Sequence, residues 1–169
     1  MLRLRVFLVL IFASEWYCTK ANSRCKAGWV LHDHSCYIFV NTSDSWIEHM
    51  QHCVLIGGHL ASIDSEEENR FLEGGVRVRH ASFWVGGTNM NANSSWVWIE
   101  NNNPVPMRPC GHAHNYCKWN KDQPNNSHGN EHCLELNLHT HWNDNYCPFP
   151  QGAICEAKPL QEYHWITIG

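Results

Sequence analysis

Short segments in which hydrophobic and polar residues alternate recur along this chain, and such alternation is typical of β-strands with one buried face. The first segment, residues 29–40, is interrupted by a polar turn at 33–35. Further short runs rich in aromatic and branched residues predict strands at 83–85, 96–99, 132–136 and 152–156. We therefore expect strands in both halves of the chain.

Two segments carry the pattern of a helix start, in which a serine is followed three residues later by a glutamate that caps the first turn. In the first, residues 45–48 (Ser-Trp-Ile-Glu) precede hydrophobic positions at helical spacing, which predicts a helix to about Leu55. In the second, residues 65–68 (Ser-Glu-Glu-Glu) place acidic side chains at the positive end of a helix. Because glycine commonly follows a helix, we expect this second helix to end near residues 74–75 (Gly-Gly).

The composition of the 169-residue chain is that of one folded domain, since 43% of the residues are hydrophobic and 17% are charged. The formal net charge is −4, and no basic stripe is present that would neutralise phosphates, so we do not expect nucleic-acid binding. Residues 101–130 are rich in Asn, Pro, Gly and His. Loops of such length in a domain are usually functional.

The first residues have the character of a secretory signal peptide. Two arginines precede an apolar stretch at 6–13, which is too short to span a bilayer because a spanning helix needs about 20 residues. No later apolar run reaches that length. We therefore expect a secreted protein without a membrane span. The predicted division is a signal peptide at 1–21, a domain at 22–157 and a C-terminal tail at 158–169.

Nine cysteines in a chain that is predicted to be secreted indicate disulfides and not catalytic thiols. If Cys18 leaves with the signal peptide, eight cysteines remain and can form four pairs. If cleavage falls earlier, Cys18 is an odd thiol that could link two chains. We favour removal of Cys18. The remaining cysteines are Cys25, Cys36, Cys53, Cys110, Cys117, Cys133, Cys147 and Cys155.

The strongest chemical signal is a group of five oxygen-bearing side chains in the second half of the chain. They are Gln123, Asn125, Glu131, Asn143 and Asp144. Carboxylate and amide oxygens are the ligands that calcium prefers, and calcium accepts six to eight of them. A disulfide from Cys133 to Cys147 would bring the two groups of ligands together. The sequence therefore predicts a Ca²⁺ site formed by two loops.

The order of these motifs resembles that of the C-type lectin-like domain, and the resemblance covers nearly the whole predicted mature chain. The matching segments include 25–29 (Cys-Lys-Ala-Gly-Trp), 58–63 (Gly-His-Leu-Ala-Ser-Ile), 83–87 (Phe-Trp-Val-Gly-Gly), 96–98 (Trp-Val-Trp), 123–125 (Gln-Pro-Asn) and 142–144 (Trp-Asn-Asp). It implies an α+β double-loop fold with two helices and two small antiparallel sheets. It also implies the disulfides Cys25–Cys36, Cys53–Cys155 and Cys133–Cys147.

The resemblance also implies a function for the five oxygen-bearing side chains. In sugar-binding members of the family, residues at these positions hold one Ca²⁺ and hydrogen-bond two neighbouring sugar hydroxyls, with the proline of the triplet in the cis form. We therefore expect a secreted, calcium-dependent lectin that binds glycans, with a role in glycan recognition, innate defence or agglutination. Agglutination requires several linked sites, which a homo-oligomer would supply.

The triplet at 123–125 departs from the family pattern, because Gln123 and Asn125 are both amides. The usual triplets are Glu-Pro-Asn for mannose-type sugars and Gln-Pro-Asp for galactose-type sugars. An amide whose oxygen binds the metal offers N–H groups to the sugar, whereas a carboxylate offers only acceptors. We hypothesise broad or mixed specificity with a weak preference for mannose-type sugars. Since only Glu131 and Asp144 are charged, we also expect modest calcium affinity.

An insertion before Trp119 contains Cys110, His112, His114 and Cys117. Two thiolates and two imidazoles at this spacing could form a tetrahedral zinc site. The alternative is a disulfide between the two cysteines that staples a short loop, and predicted secretion favours it.

Two other classes of function compete with the sugar-binding hypothesis. The first is a protein-binding or structural domain of the same fold, which the insertion and the doubly amidated triplet favour mildly. The second is an enzyme, which we do not expect. The chain has no Gly-x-Ser-x-Gly motif, and Glu131 and Asp144 are better used as calcium ligands than as an acid–base pair.

Overall fold

The computed structural model describes residues 16–20, 23–91, 94–111, 116–161 and 163–167, which fall into two units. The smaller unit combines residues 1–24 and 160–169, and the larger unit is residues 25–159. The strands are β1 (Trp16–Lys20), β2 (Val30–His32), β3 (Ser35–Asp44), β4 (His59–Leu60), β5 (Phe83–Thr88), β6 (Val97–Trp98), β7 (Glu131–Leu136), β8 (Trp142–Tyr146), β9 (Gln151–Ala157) and β10 (Tyr163–Thr167).

The smaller unit contains β1 paired antiparallel with β10. The predicted apolar stretch at 6–13 lies outside the described residues, and cleavage after residue 21 stays a prediction. Among the residues that the structure describes, no helix has both the length and the apolar character needed to cross a membrane.

The larger unit is built on one eight-stranded sheet with the order β2-β3-β9-β5-β7-β8, where β4 also pairs with β9 and β6 with β5. Its pairs are antiparallel except β5 with β9, which is parallel. One mixed sheet that contains this parallel pair therefore takes the place of the two small antiparallel sheets that the resemblance implies. The α+β class is confirmed, with a mixed sheet.

Helix α1 (Trp46–Leu55) begins and ends where the sequence predicts. The Ser45 hydroxyl accepts a hydrogen bond from the Glu48 amide at 3.3 Å, and the Glu48 carboxylate accepts one from the Ser45 amide at 2.9 Å. Both halves of the capping box are therefore present, and two of the orphan amides at the helix start have partners.

Helix α2 (Glu66–Arg79) is longer than predicted, since it continues through Gly74 and Gly75 and ends at His80 in the left-handed conformation. The prediction of an end near 74–75 was wrong because Gly75 serves close packing and not helix termination. A Cβ atom on Gly75 would lie 2.1 Å from Cζ of Phe39, so only glycine allows α2 to approach β3 this closely.

The start of α2 differs from a full capping box. The Ser65 hydroxyl accepts a hydrogen bond from the Glu68 amide at 3.1 Å. The Glu68 carboxylate, however, accepts from the Asp64 amide at 2.9 Å and from the Tyr37 hydroxyl at 2.7 Å. Glu68 thus ties the helix to the sheet as well as to its own N-terminal turn.

The strand predictions are correct in position and differ in extent. The first predicted strand is a hairpin of β2 and β3, and β3 extends beyond residue 40 to Asp44. The prediction at 96–99 is longer than β6. Strand β8 was not predicted; it forms because residues 142–146 pair antiparallel with β7. One of the two ligand groups therefore lies on a strand and not in a loop.

Buried tryptophans lie beneath the start of β8. Trp142 is fully buried and makes edge-on contacts with Trp98 and Trp119 at centroid distances of 5.7 and 5.9 Å. Its indole N–H donates to the Asn69 side-chain oxygen at 2.9 Å. Burial of such large aromatic groups dominates core energetics, and here it fixes the residue that directly precedes Asn143.

Four disulfides are present in the larger unit, and they join the expected partners. They are Cys25–Cys36, Cys53–Cys155, Cys110–Cys117 and Cys133–Cys147. The pair Cys133–Cys147 ties β7 to the residue after β8. A zinc site using Cys110 and Cys117 is not compatible with their disulfide, and His112 and His114 lie outside the described residues.

Candidate functional site

The triplet at 123–125 is held against β8 by the side chain of Asp144. Its two carboxylate oxygens accept hydrogen bonds from the backbone amides of Asn125 at 3.0 Å and Asn126 at 2.7 Å. Asp144 is 1% exposed, so a negative charge is buried and is stabilised by these two amides. The Gln123–Pro124 peptide bond is cis, as the resemblance implies.

Glu131, the first residue of β7, is connected to the same loop. Its carboxylate accepts a hydrogen bond from the Ser127 amide at 2.9 Å, and its own amide donates to the Asn126 side-chain oxygen at 3.1 Å. The chain turns back between these contacts because Asn126, His128 and Gly129 all have positive φ angles. The structure therefore brings Asn125, Glu131 and Asp144 into one network.

Gln123, the first residue of the triplet, carries a buried side-chain oxygen. Its backbone amide donates to the Asn120 carbonyl at 3.1 Å. The side-chain oxygen of Gln123 is buried and accepts no hydrogen bond from any described residue. A buried acceptor without a partner costs about 1–3 kcal/mol. A cation bound at this position would remove that cost.

Asn143 lies beside this group in the chain, but its described side-chain contact is with Glu135 and not with the triplet. The Asn143 amide nitrogen donates to one Glu135 oxygen at 3.1 Å, and the Asn145 nitrogen donates to the other at 3.1 Å. Because Glu135 holds the nitrogen of the planar Asn143 amide, the amide oxygen is directed away from Glu135. A cation ligated by Asn143 would be bound through this oxygen.

Glu135 is a functional candidate that the sequence reasoning missed. It is 6% exposed, and burial raises its pKa, while hydrogen bonds from Asn145 and Asn143 act in the opposite direction. A usable signal was present, because a carboxylate between two leucines of a buried strand must have hydrogen-bond partners. Glu135 orients Asn143 from within the sheet.

The donor set fits a hard cation. The candidate ligands are two carboxylates and three side-chain amides, and all of them offer oxygen. Among the described residues, no group of three or more His, Cys, Asp or Glu side chains is arranged to hold a metal ion. Binding at this place would therefore depend on the amide oxygens as much as on the carboxylates.

Comparison with known families and proteins gives concordant results. The family model "Lectin C-type domain" matches residues 42–157. Ladderlectin of Oncorhynchus mykiss is 32% identical over 148 residues, which is 83% of this chain and 73% of that protein.

Two solved structures resemble the chain over most of its length. A calcium-independent type II antifreeze protein has a TM-score of 0.70 and 28% identity, covering 83% of this chain and 98% of that one. The cow C-type carbohydrate-recognition domain of CD23, in the presence of a GlcNAc2Man3 oligosaccharide, has a TM-score of 0.69 and 25% identity, covering 81% and 98%. One fold therefore occurs both in a sugar-recognition domain and in a protein that does not depend on calcium.

Proposed function

This chain belongs to the C-type lectin domain family, a family of carbohydrate-binding proteins, and on that premise we propose that it binds glycans through a calcium ion. The observation that supports this proposal most directly is the buried oxygen of Gln123 without a hydrogen-bond partner among the described residues. It lies at the end of a loop that Asp144 and Glu131 hold in place. An oxygen-rich site with one unsatisfied acceptor is what a cation would complete.

We assign the ligands from the sequence positions and from these contacts. They are Gln123, Asn125, Glu131, Asn143 and Asp144. The bound ion would supply a positive centre that accepts the oxygens of two neighbouring sugar hydroxyls. The chain's own groups would then select the sugar, because amide N–H groups donate to hydroxyl oxygens and carboxylates accept from hydroxyl hydrogens.

The arrangement of donors and acceptors supports broad specificity with a weak preference for mannose-type sugars. Gln123 and Asn125 both offer N–H groups at the triplet, so acceptors for the sugar come from Glu131 and Asp144. Both Asp144 oxygens already accept backbone amides, and one Glu131 oxygen accepts the Ser127 amide. The other oxygen of Glu131 is therefore the acceptor best placed for a sugar hydroxyl.

The test is binding to immobilised mannose, fucose, galactose and N-acetylglucosamine in millimolar calcium and again in EDTA. We expect binding in calcium that EDTA abolishes. Gln123→Ala should lower calcium affinity about tenfold or more, because it removes a neutral ligand whose oxygen is otherwise orphaned. Gln51→Ala is the matched control, since Gln51 is an exposed residue of α1. Calorimetric titration with calcium measures the calcium affinity of the two variants in the absence of sugar.

A second candidate function is binding of a protein or a surface without calcium or sugar. The likeness to a calcium-independent antifreeze protein favours it, as does a ligand set with only two carboxylates. Binding that persists in EDTA and is not competed by free sugar would establish this second function. In neither case do we propose catalysis, because Glu131 and Asp144 are held by backbone amides in the loop network.

The proposal includes secretion by way of a signal peptide at 1–21. Amino-terminal sequencing of protein recovered from the medium of expressing cells tests it. Sedimentation of the same material decides whether a homo-oligomer supplies the linked sites that agglutination requires.

A further inference from the structure

A cleft of about 850 Å³ lies beside the triplet, and its charged lining residues are all basic. They are Arg108, Lys118 and Lys121. His141 and the disulfide Cys110–Cys117 also line it. No acidic residue occurs from position 101 to position 121, although the chain as a whole carries more acidic than basic residues. This segment therefore carries three positive charges, and Asp122 directly follows it.

The cleft cations are poorly neutralised by the protein. Arg108 donates one N–H to the Trp119 carbonyl, which leaves the rest of its planar fork for other acceptors. Among the residues that the structure describes, no carboxylate forms an ion pair with Arg108 or Lys121. Lys118 is 4.0 Å from a carboxylate oxygen of Glu73, and the other oxygen of Glu73 is paired with Arg77 at 3.3 Å.

Four other basic side chains of the larger unit have partners within the protein, and one of them is Arg77 with Glu73. Arg70 pairs with Glu66 at 2.7 Å, and Arg79 packs on the Phe39 ring. Lys26 donates to the Ile56 carbonyl at 2.9 Å. Arg108 and Lys121 differ from these four residues, because no carboxylate among the described residues pairs with them.

The frame that carries these cations is tied to the core. The Trp119 indole is buried and donates to the Pro106 carbonyl at 2.9 Å. The backbone of 118–120 pairs with Trp142, since the Trp142 amide donates to Lys118 at 2.9 Å and the Asn120 amide donates to Trp142 at 2.9 Å. Trp142, which directly precedes Asn143 and Asp144, thus also fixes the backbone of Lys118 and Asn120.

The cleft lining ends two residues before the triplet in the chain. Asn120 and Lys121 line the cleft, and the Asn120 carbonyl accepts the Gln123 amide at 3.1 Å. A glycan that binds at the triplet and extends along the turn at 120–123 would meet Lys121 first. Arginine binds planar or tetrahedral oxyanions through parallel hydrogen bonds, and lysine adds a point charge.

We propose that this cleft binds the anionic group of an acidic glycan, either a sulfate ester or a sugar carboxylate. The sugar part of this proposal rests on the proposed calcium-dependent function, whereas the anion part depends only on the cleft. The ligand class is thus a glycan with a neutral sugar at the triplet and a negative group on the side of Arg108.

The experiment compares three immobilised polymers, which carry mannose, mannose 6-O-sulfate and terminal sialic acid, each in millimolar calcium and in EDTA. We expect at least one acidic polymer to bind several-fold more tightly than neutral mannose, and we expect this advantage to shrink as sodium chloride is raised. The acidic polymer that binds more tightly than mannose shows whether the cleft prefers a sulfate ester or a sugar carboxylate.

Four variants test the location of the anion. Arg108→Gln and Lys121→Gln should each reduce the acidic advantage about three- to fivefold, the range of a partly exposed charge pair. Arg108→Lys keeps the charge and tests whether the anion needs the paired N–H groups of the planar guanidinium. Lys158→Gln makes the same change of charge at an exposed residue that does not line the cleft, and it should have no effect. Because Arg108 also donates to the Trp119 carbonyl, its variants could fold poorly. Lys121→Gln tests the same anion site without removing that contact.

The outcomes separate this proposal from the calcium proposal. The native chain could fail to bind neutral mannose but bind an acidic polymer, with binding that the cleft variants weaken. This result would refute the sugar site and support the proposed anion site in the cleft. Calcium-dependent binding of mannose, with no tighter binding of either acidic polymer, would refute the proposed anion site in the cleft. The anion site would also be refuted if Lys158→Gln weakened the binding of acidic polymers as much as Lys121→Gln does.

Discussion

Asp144→Asn is the change that most directly separates the structural role of the site from its metal-binding role. The Asp144 carboxylate is almost fully buried and accepts two backbone amides from the loop that contains the triplet. Asparagine keeps one oxygen but places an NH2 group where the second oxygen was. One charge-assisted hydrogen bond is then lost, and two N–H donors face each other.

The expected cost follows from these contacts. A hydrogen bond to a charged group contributes about 1.5–3 kcal/mol, so the free energy of unfolding should fall by about 2–3 kcal/mol even without calcium. For a domain of this size, that loss corresponds to a decrease in Tm of roughly 10 °C. Calcium should raise the Tm of the native chain and leave the variant nearly unchanged, because a ligand stabilises only the state that binds it.

The assay is thermal unfolding in EDTA and in millimolar calcium, followed by circular dichroism. Asp122→Asn is the matched control, because Asp122 is an exposed carboxylate directly before the triplet. It makes the same change of charge without a buried hydrogen bond. Equal Tm values for the two variants in EDTA would refute the reasoning, since Asp144 would then not hold the loop. A calcium-induced rise in Tm in Asp144→Asn as large as in the native chain would refute its role as a ligand.

Two further predictions concern the contacts between α2 and the sheet. Burial raises the pKa of Glu68 to about 7 from its ordinary 4.5, so its contribution to stability is full below pH 4.5 and is lost as the pH rises through about 7. Glu68→Gln keeps an oxygen for the Tyr37 hydroxyl, but its NH2 group cannot accept from the Asp64 amide, so the variant should be less stable than the native chain below pH 4.5. This deficit should shrink as the pH rises through about 7 in urea unfolding in EDTA, and a difference independent of pH would contradict this. Gly75→Ala should lower stability by about 1–3 kcal/mol because its Cβ would meet the Phe39 ring, whereas Gly74→Ala, with open space at the Cβ, should raise it by about 0.5–1 kcal/mol. Similar effects of the two alanines in thermal unfolding would show that the contact with Phe39 is not tight.

Local features of the chain were predictable because they depend on residues a few positions apart. The start of α1 depends on Ser45 and Glu48, which are three positions apart and are joined by three hydrogen bonds. The identity of the oxygen-bearing side chains around the triplet is likewise a property of the chain itself. So is the number of cysteines available for pairing.

Features that depend on distant partners were not predictable in the same way. The end of α2 was placed too early because Gly75 reads as a helix terminator until Phe39, on another element, is known to pack on it. Strand β8 was taken for a loop because its polar residues match no hydrophobic alternation, and only pairing with β7 makes it a strand.

The same division holds for the site and for the cleft. The sequence by itself determined which atoms are offered to a cation, and through the family motifs it determined the fold class. Only the tertiary structure decided that Glu135 holds Asn143, that Gln123 keeps a buried oxygen, and that the basic residues of 101–121 line one cleft. The physical reason is that burial and hydrogen bonding are properties of pairs, and the partners here are joined by folding and not by neighbouring positions in the chain.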